Sequence, residues 1–365
     1  MSDQIAYLLG AGASIDAGMP PTEMITECVR KKGTRKSADA FTNRNEELAQ
    51  KIEYLICRWQ MLGGLKRDIN YEDIYFLAYQ IKNIKTPKTV GEFDNPAVVP
   101  FAAEFNEIFK GESDSYHGEQ ICEHIENVVV TLIREKDKIK KTFDYLDNLF
   151  LYPLSQEVII NIFTLNHDQI IEQFLRSKEK KFCDGFTEQS DTDVLDTSVY
   201  DTNILINLYK IHGSIDWKRA QYNDSNRDVI IRGSFNNGIL NIPIEDEKII
   251  LCGTLNKMFQ YHQGEFAYLW TRFYVKLMQC NRLIIAGYGF GDRAVNNALI
   301  HWIGRVNRRM LIIDCKSEMD FTVHLERNTT PYFSKVFTED DCRIKYVNSK
   351  IDELKEDCIE EFLKT

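Results

Sequence analysis

Ile5-Ala6-Tyr7-Leu8-Leu9, Gly10-Ala11-Gly12-Ala13-Ser14 and Ile15-Asp16-Ala17-Gly18-Met19-Pro20 follow one another near the start of the chain. The unbroken apolar run, closed by glycine, predicts a strand buried on both faces of a parallel sheet. The glycines predict a tight turn whose backbone N–H groups approach an anion without Cβ interference. A helix is expected to begin near Ala13, its N-terminal dipole facing that anion. The spacing is Gly10-x-Gly12, and Ile15 stands where the G-x-G-x-x-G fingerprint needs its third glycine. No Gly-Lys-Ser/Thr follows, so this is not a Walker loop either. On spacing alone, a glycine turn that binds nothing explains the stretch as well as a phosphate loop does.

Beyond Pro20-Pro21 the pattern turns helical. Leu48, Ile52, Leu55, Ile56 and Trp59 recur at helical spacing, as do Tyr71, Ile74, Tyr75, Ala78 and Ile81. Thr86 to Pro100 holds three prolines and a glycine and reads as a loop. Helical spacing resumes at Ile121, Ile125, Val128, Val129 and Leu132, then at Phe143, Leu146, Leu149 and Phe150. No strand signal appears between about 22 and 154, which predicts an all-helical insertion after the first strand. Asn70-Tyr71-Glu72-Asp73 reads as a helix N-cap with acidic first-turn residues.

Strand signals return at Val158–Phe163, Ile204–Ile211, Lys248–Cys252, Arg282–Ala286, Met310–Ile313 and Ile344–Val347. Helices are expected over Gln169–Leu175, Tyr268–Met278, Val295–Ile303 and a last segment carrying Ile351, Leu354, Ile359 and Phe362. Residues 177–203 and 218–247 are polar and read as loops. The alternation predicts an α/β fold with a doubly wound, mainly parallel Rossmann-like sheet. The sheet domain is placed at 1–21 and 155–365, and the helical insertion at 22–154.

Length and composition narrow the function. A chain of 365 residues exceeds the usual single-core size, in keeping with a domain plus an insertion. No basic segment precedes an apolar core at the N-terminus, and no apolar run approaches the ~20 residues that span a bilayer. The expectation is a cytoplasmic protein with no membrane role. Nine scattered cysteines, with no paired spacing, read as free thiols. The net charge of −10 argues against direct nucleic-acid binding. Arg305, Arg308 and Arg309 read as a solvated helix face.

In doubly wound sheets, ligands sit at the carboxyl ends of strands. Five polar clusters fall there: Gly10 to Ser14, Thr164 to Asp168, His212-Gly213, Gly287 to Asp292, and Asp314. A histidine titrates near neutrality and can take a proton from a hydroxyl; His212 follows a strand and precedes a glycine, a setting the other histidines lack. Asp314 ends its strand where an acidic group can accept from ribose hydroxyls. Asp168 also suits a helix cap before Gln169.

Gly10-Ala11-Gly12-Ala13-Ser14 with Gly18-Met19-Pro20 resembles the N-terminal signature of the sirtuins, which bind NAD. Three later segments extend the resemblance in the family's order. Thr164-Leu165-Asn166-His167-Asp168 resembles the Thr-x-Asn-x-Asp segment of sirtuin-like proteins of bacterial defence systems. Tyr209 to Trp217 resembles the segment with the catalytic histidine. Gly287-Tyr288-Gly289-Phe290-Gly291-Asp292 resembles their second glycine loop.

The resemblance implies that Asn166 holds the nicotinamide-side ribose and positions a water, and that His212 is the base. It implies that Asp168 bonds the carboxamide, and that Gly10, Ala11, Gly12, Ser14, Gly287, Gly289 and Asp292 meet the nucleotide. Asn296 is expected to face the same cleft. Sirtuin deacylases carry a zinc ribbon of two C-x-x-C pairs and a Phe-Arg after Gly-Ile-Pro; this chain has no C-x-x-C, and Pro21-Thr22 stands in place of Phe-Arg. The expectation is therefore an NAD hydrolase with NAD as substrate and no metal, an effector of anti-phage defence.

A NAD-dependent protein deacylase and a non-catalytic nucleotide-binding module remain the alternatives. The chain is expected to form a homo-oligomer, and the resemblance implies a HerA-type ATPase or a short Argonaute as partner. A constitutive hydrolase would drain its own cell, so the isolated chain is expected to be largely off, with the helical insertion as the gate.

Overall fold

The computed structural model describes residues 4–30, 40–64, 68–82, 114–137, 142–189, 192–201, 204–222, 228–232, 240–241, 248–338, 342–355 and 357–364. The chain divides into two compact units, one of residues 1–19, 133–251 and 258–365, the other of residues 20–132 and 252–257. The expected loop at 86–100 lies outside the described residues.

The first unit is built on a parallel six-stranded sheet. Its strands are β1 (Gln4–Leu9), β2 (Ile159–Thr164), β5 (Ile206–Lys210), β9 (Arg282–Ala286), β10 (Arg309–Asp314) and β11 (Ile344–Asn348). Their spatial order is β11-β10-β9-β1-β2-β5. Relabelled by chain order within this sheet, that is the 3-2-1-4-5-6 arrangement of dinucleotide-binding folds.

The alternation of side chains shows why these runs are apolar throughout. Ala6, Leu8, Phe163, Leu283, Ile285, Met310 and Ile312 enter one large core with Phe273 and Leu277 of the helix Gly264–Gln279, and with Val295, Leu299 and Trp302 of the helix Arg293–Ile303. On the opposite face, Tyr7 meets Phe150 of the helix Asp147–Leu154, ring centroids 4.5 Å apart. Phe150 in turn meets Phe174 of the helix Ile170–Ser177 at 5.6 Å. The Tyr7 hydroxyl donates to the Leu149 carbonyl at 2.8 Å, so its one polar atom is satisfied. Each such fully buried side chain contributes about 1.5–3 kcal/mol, and a strand covered on both faces collects this at every position.

Four expectations need correction. Residues 177–203 and 218–247 are not merely loops: an antiparallel sheet runs through them, with β3 (Phe186–Gln189), β4 (Thr192–Leu195), β6 (Lys218–Tyr222), β7 (Asp228–Arg232) and β8 (Leu240–Asn241) in the order β3-β4-β7-β6-β8. Among the described residues its own core is Val194, Ala220 and Ile231, with Val229 against it, while Ile230, Phe186 and Leu195 pack with the larger core. Lys248–Cys252 forms only an isolated bridge, Gly213 to Ile250.

The last helix is Cys358–Lys364, and Ile351 and Leu354 precede it. Arg308 is buried rather than solvated: it donates to Asn281 Oδ1 at 2.6 Å and to the Met278 carbonyl at 2.7 Å, and lies over the Trp302 ring.

The second unit is helical: between residues 22 and 132, every described element is a helix. Its helices are Thr22–Arg30, Ala40–Leu62, Tyr71–Lys82 and the greater part of Asp114–Asp137. Leu48, Ala49, Ile52, Leu55, Ile74, Ala78, Ile81, Ile121, Ile125 and Val129 are buried at the predicted spacing. Asn70 caps the third helix: its Oδ1 accepts from the Glu72 and Asp73 N–H groups, and Asp73 Oδ2 accepts from the Asn70 N–H at 3.1 Å. Gly118 lets two helices touch, since a Cβ there would stand 2.4 Å from the Lys82 nitrogen. Among the described residues, no helix is long and apolar enough to cross a membrane.

Candidate active site

β1 and β9 are neighbours in the sheet, with Leu9 opposite Ala286, and the chain leaves them in opposite directions. This is the topological switch point, where the fold opens a crevice beyond the strand ends. The loops at 10–14 and 287–292 emerge there and are zipped together. The Gly10 N–H donates to the Ala286 carbonyl at 3.1 Å and the Gly12 N–H to the Gly287 carbonyl at 2.9 Å. A Cβ on Gly10 would lie 2.5 Å from the Gly287 oxygen, so the two backbones leave no room for one. Gly10 and Gly12 thus spend their N–H groups on the neighbouring loop. Gly289 and Gly291 are different, being exposed with no atom within 4 Å of a would-be Cβ.

The helix expected from Ala13 is instead a four-residue 3₁₀ turn, Ala11–Ser14. A further turn follows, in which the Gly18 N–H donates to the Ile15 carbonyl at 2.7 Å. Gly18 has φ +83°, and Pro20-Pro21 offer no N–H donors, so no longer helix can propagate. Ala11 stands exposed at the tip, and Ser14 is buried beneath it.

β2 and β5 pair in register with Thr164 opposite Lys210, so Asn166 and His212 each lie two residues past the end of adjoining strands. Asn166 is buried, and its Nδ2 donates to the Gly10 carbonyl at 2.9 Å and to Ser14 Oγ at 3.0 Å. Asn166 is thereby locked to the first glycine loop. Both of its amide protons are committed, so only Oδ1 is left to accept.

Asp168 caps the helix Ile170–Ser177: its Oδ1 accepts from the Ile170 N–H at 3.0 Å. The buried Lys210 ammonium donates to the Asp168 carbonyl and pairs with Glu172 at 2.7 Å. Burial works against the Lys210 charge, but Glu172, Asp216 and Asp168 around it outweigh this and hold its pKa above the ordinary value. This pair pins the Asn166–Asp168 loop from below.

His212 does not stand alone. Its Nε2 lies 2.5 Å from the Tyr261 hydroxyl and 3.2 Å from Asp292 Oδ2, and the Tyr261 hydroxyl donates to Asp292 Oδ2 at 2.6 Å. All three residues are buried. Asp292 Oδ1 also caps the helix Arg293–Ile303, accepting from the Ala294 and Val295 N–H groups at 3.0 and 3.1 Å. Tyr261 stacks on Trp270 at 4.3 Å, which fixes its ring. Sequence reasoning missed Tyr261: it sits in a polar turn after a short helix, where no motif marks it. The His167 and His212 rings lie 6.1 Å apart.

The rest of the second glycine loop is braced from within. Asn296 faces that loop, donating to the Phe290 carbonyl at 2.8 Å and accepting from the Tyr288 hydroxyl at 2.8 Å. Phe290 adopts φ +54° with its ring buried, and His324 Nε2 meets the Gly289 carbonyl at 2.8 Å. Asp314 ends the strand next to β9. Its Oδ1 accepts from the Lys316 N–H at 2.8 Å, and the Lys316 ammonium lies 3.2 Å away. Among the described residues, no group of three His, Cys, Asp or Glu side chains is placed to hold a metal ion.

No curated protein matches the sequence. Among solved structures, a Sir2 homologue in complex with ADP-ribose is similar at 10% identity and TM-score 0.42, covering 100% of this chain and 93% of that one. A Sir2 homologue–NAD complex is similar at 12% identity and TM-score 0.41, covering 100% and 90%. Sir2 bound to acetylated peptide is similar at 10% identity and TM-score 0.35, covering 99% and 93%. These are remote likenesses. The family model described as SIR2-like domain matches residues 160–322, the stretch that carries Asn166, His212, Tyr261 and the second glycine loop, and over that stretch the chain is sirtuin-like.

Proposed function

We propose that this protein binds NAD at the carboxyl edge of its parallel sheet and hydrolyses the nicotinamide–ribose bond to nicotinamide and ADP-ribose. The observation that carries the reading is the meeting of Asn166 with the first glycine loop, next to a buried His212–Asp292–Tyr261 cluster, at the switch point of a 3-2-1-4-5-6 sheet. Nicotinamide is already a cationic leaving group, so the bond breaks through an oxocarbenium-like state. The protein has to orient the ribose, exclude bulk water and deliver one water. Asn166 Oδ1 is the acceptor that orients that water. His212 takes the proton from the ribose hydroxyl or from the water. Exposed Gly289 and Gly291 give the pyrophosphate a backbone to approach, and Ala11 borders it.

The absence of any C-x-x-C pair supports hydrolysis over deacylation, because a zinc ribbon accompanies the latter. The resemblance of Thr164–Asp168 and Gly287–Asp292 to sirtuin-like defence proteins supports a role in anti-phage defence by NAD depletion, in a homo-oligomer or with a HerA-type ATPase or short Argonaute partner. The test is nicotinamide release from NAD, with and without an acylated peptide. Release without peptide supports hydrolysis; release only with peptide refutes it in favour of deacylation.

A further inference from the structure

Asp292 was expected to meet the nucleotide, but its carboxylate is turned inward. Oδ1 takes two backbone N–H groups of the helix Arg293–Ile303, and Oδ2 takes the Tyr261 hydroxyl and faces His212 Nε2. A carboxylate has about four lone-pair sites, and three donors and the His212 nitrogen surround this one. We propose that Asp292 and Tyr261 are positioning residues that fix the tautomer of His212, with the proton on Nε2 and the lone pair on Nδ1.

The hydrogen-bond polarity follows from a count of protons. The tyrosine hydroxyl has one hydrogen, and a buried carboxylate beside it is the stronger acceptor. With that hydrogen donated to Asp292 Oδ2 at 2.6 Å, the Tyr261 oxygen is an acceptor toward His212 Nε2 at 2.5 Å. Asp292 Oδ2, 3.2 Å from the same nitrogen, is an acceptor too. Nε2 thus meets two acceptors in this cluster, the Tyr261 oxygen and Asp292 Oδ2, and so carries the hydrogen. The basic nitrogen is Nδ1, and the nearby carboxylate stabilises the imidazolium that forms when Nδ1 takes a proton. The device also ties base to cleft, since the carboxylate that orients His212 caps the helix leaving the second glycine loop. The catalytic consequence rests on the NAD reading above; the tautomer does not.

The tautomer is read by two-dimensional NMR of the full chain labelled with 15N-histidine, with His212 identified by its loss in His212→Gln. The wild type is expected to show a hydrogen-bearing Nε2 and a bare Nδ1. Asp292→Asn keeps an oxygen for the helix cap and turns an N–H group toward the cluster. The Tyr261 hydroxyl then accepts from the amide and donates to Nε2, and the proton moves to Nδ1. Tyr261→Phe leaves Asp292 to hold the Nε2 proton, so the tautomer stays. In steady-state kinetics, Asp292→Asn should lower kcat by ~100-fold or more with KM for NAD changed less than about twofold. Tyr261→Phe should lower kcat by about tenfold.

A wild type protonated on Nδ1, or an Asp292→Asn variant still protonated on Nε2, overturns the proposal. So does a raised KM with intact kcat in Asp292→Asn, which would mean that the carboxylate binds NAD. A chain that never turns over NAD refutes the hydrolase reading, while the spectra still decide the tautomer.

Discussion

Gly287→Ala is expected to destabilise the protein by about 3 kcal/mol or more, and Gly289→Ala, two residues on, to be neutral within about 0.5 kcal/mol. Gly287 has φ +61°, a conformation that costs an L-residue about 1–2 kcal/mol. A Cβ there would stand 2.2 Å from the Ala13 nitrogen and 2.4 Å from the Gly12 carbonyl carbon. Both are backbone atoms in a packed turn, and neither can swing aside as a side chain would. The two glycine loops would have to part by roughly 1 Å, an overpacking that costs about 1–3 kcal/mol.

Parting them also weakens the hydrogen bond from the Gly12 N–H to the Gly287 carbonyl, worth about 1 kcal/mol. At Gly289, by contrast, a Cβ meets nothing within 4 Å, and its φ is not positive. Urea unfolding of both variants beside the wild type measures the difference, with the slope m checked for constancy. Gly287→Ala within 1 kcal/mol of the wild type, or Gly289→Ala equally damaging, would refute the claim that packing rather than ligand contact demands the first of these glycines.

Three further outcomes follow from the same contacts. Asn166→Ala removes both donors that hold the Gly10 carbonyl and Ser14 Oγ; thermal melts should show a loss of about 1–3 kcal/mol, and nicotinamide release should fall ~100-fold or more. Lys210→Met strands the buried Glu172 carboxylate and should cost about 3–5 kcal/mol, most of it recovered in the double variant Lys210→Met with Glu172→Leu; a mild single variant would contradict a charged pair there. Burial pushes the Cys280 thiol up to about 12, so the unfolded chain releases this proton from pH ~9 upward while the folded chain holds it. Its contribution is therefore intact below pH ~9 and declines toward 12; iodoacetamide at pH 8 should modify exposed Cys315 and Cys342 and spare Cys280.

The parallel sheet was legible because strands covered on both faces are apolar at every position, as Ile5–Leu9 and Leu283–Ala286 are. The antiparallel sheet was not, because its strands are short and interrupted by polar residues: of Lys218-Arg219-Ala220-Gln221, Ala220 enters its core. The turn after Gly10 was misread as a helix because Gly18 and Pro20-Pro21 stop it after one 3₁₀ turn.

Strand ends marked Asn166, His212, Asp292 and Asp314 as candidates, yet what they bond to depends on pairing across the sheet. The His212–Asp292 contact joins residues 80 apart in sequence, and Tyr261 reaches it from a turn with no pattern of its own. Asp168 fits the cap reading, and no ligand contact is needed to explain it. Glycines were recognised as a class, but only the packing separates Gly10, Gly12 and Gly287, which hold the loops together, from Gly289 and Gly291, which stand open.

The central claim is that these loops hold NAD for hydrolysis by Asn166 and His212. The most direct measurement is nicotinamide release from NAD by the purified chain, followed from dilute monomer to the highest soluble concentration, beside His212→Ala and Asn166→Ala. The account predicts nicotinamide and ADP-ribose in equal amounts, turnover per chain that rises as the protein assembles, and loss of ~100-fold or more in both variants. Undiminished release in both variants, or neither release nor NAD binding at any concentration, would contradict it.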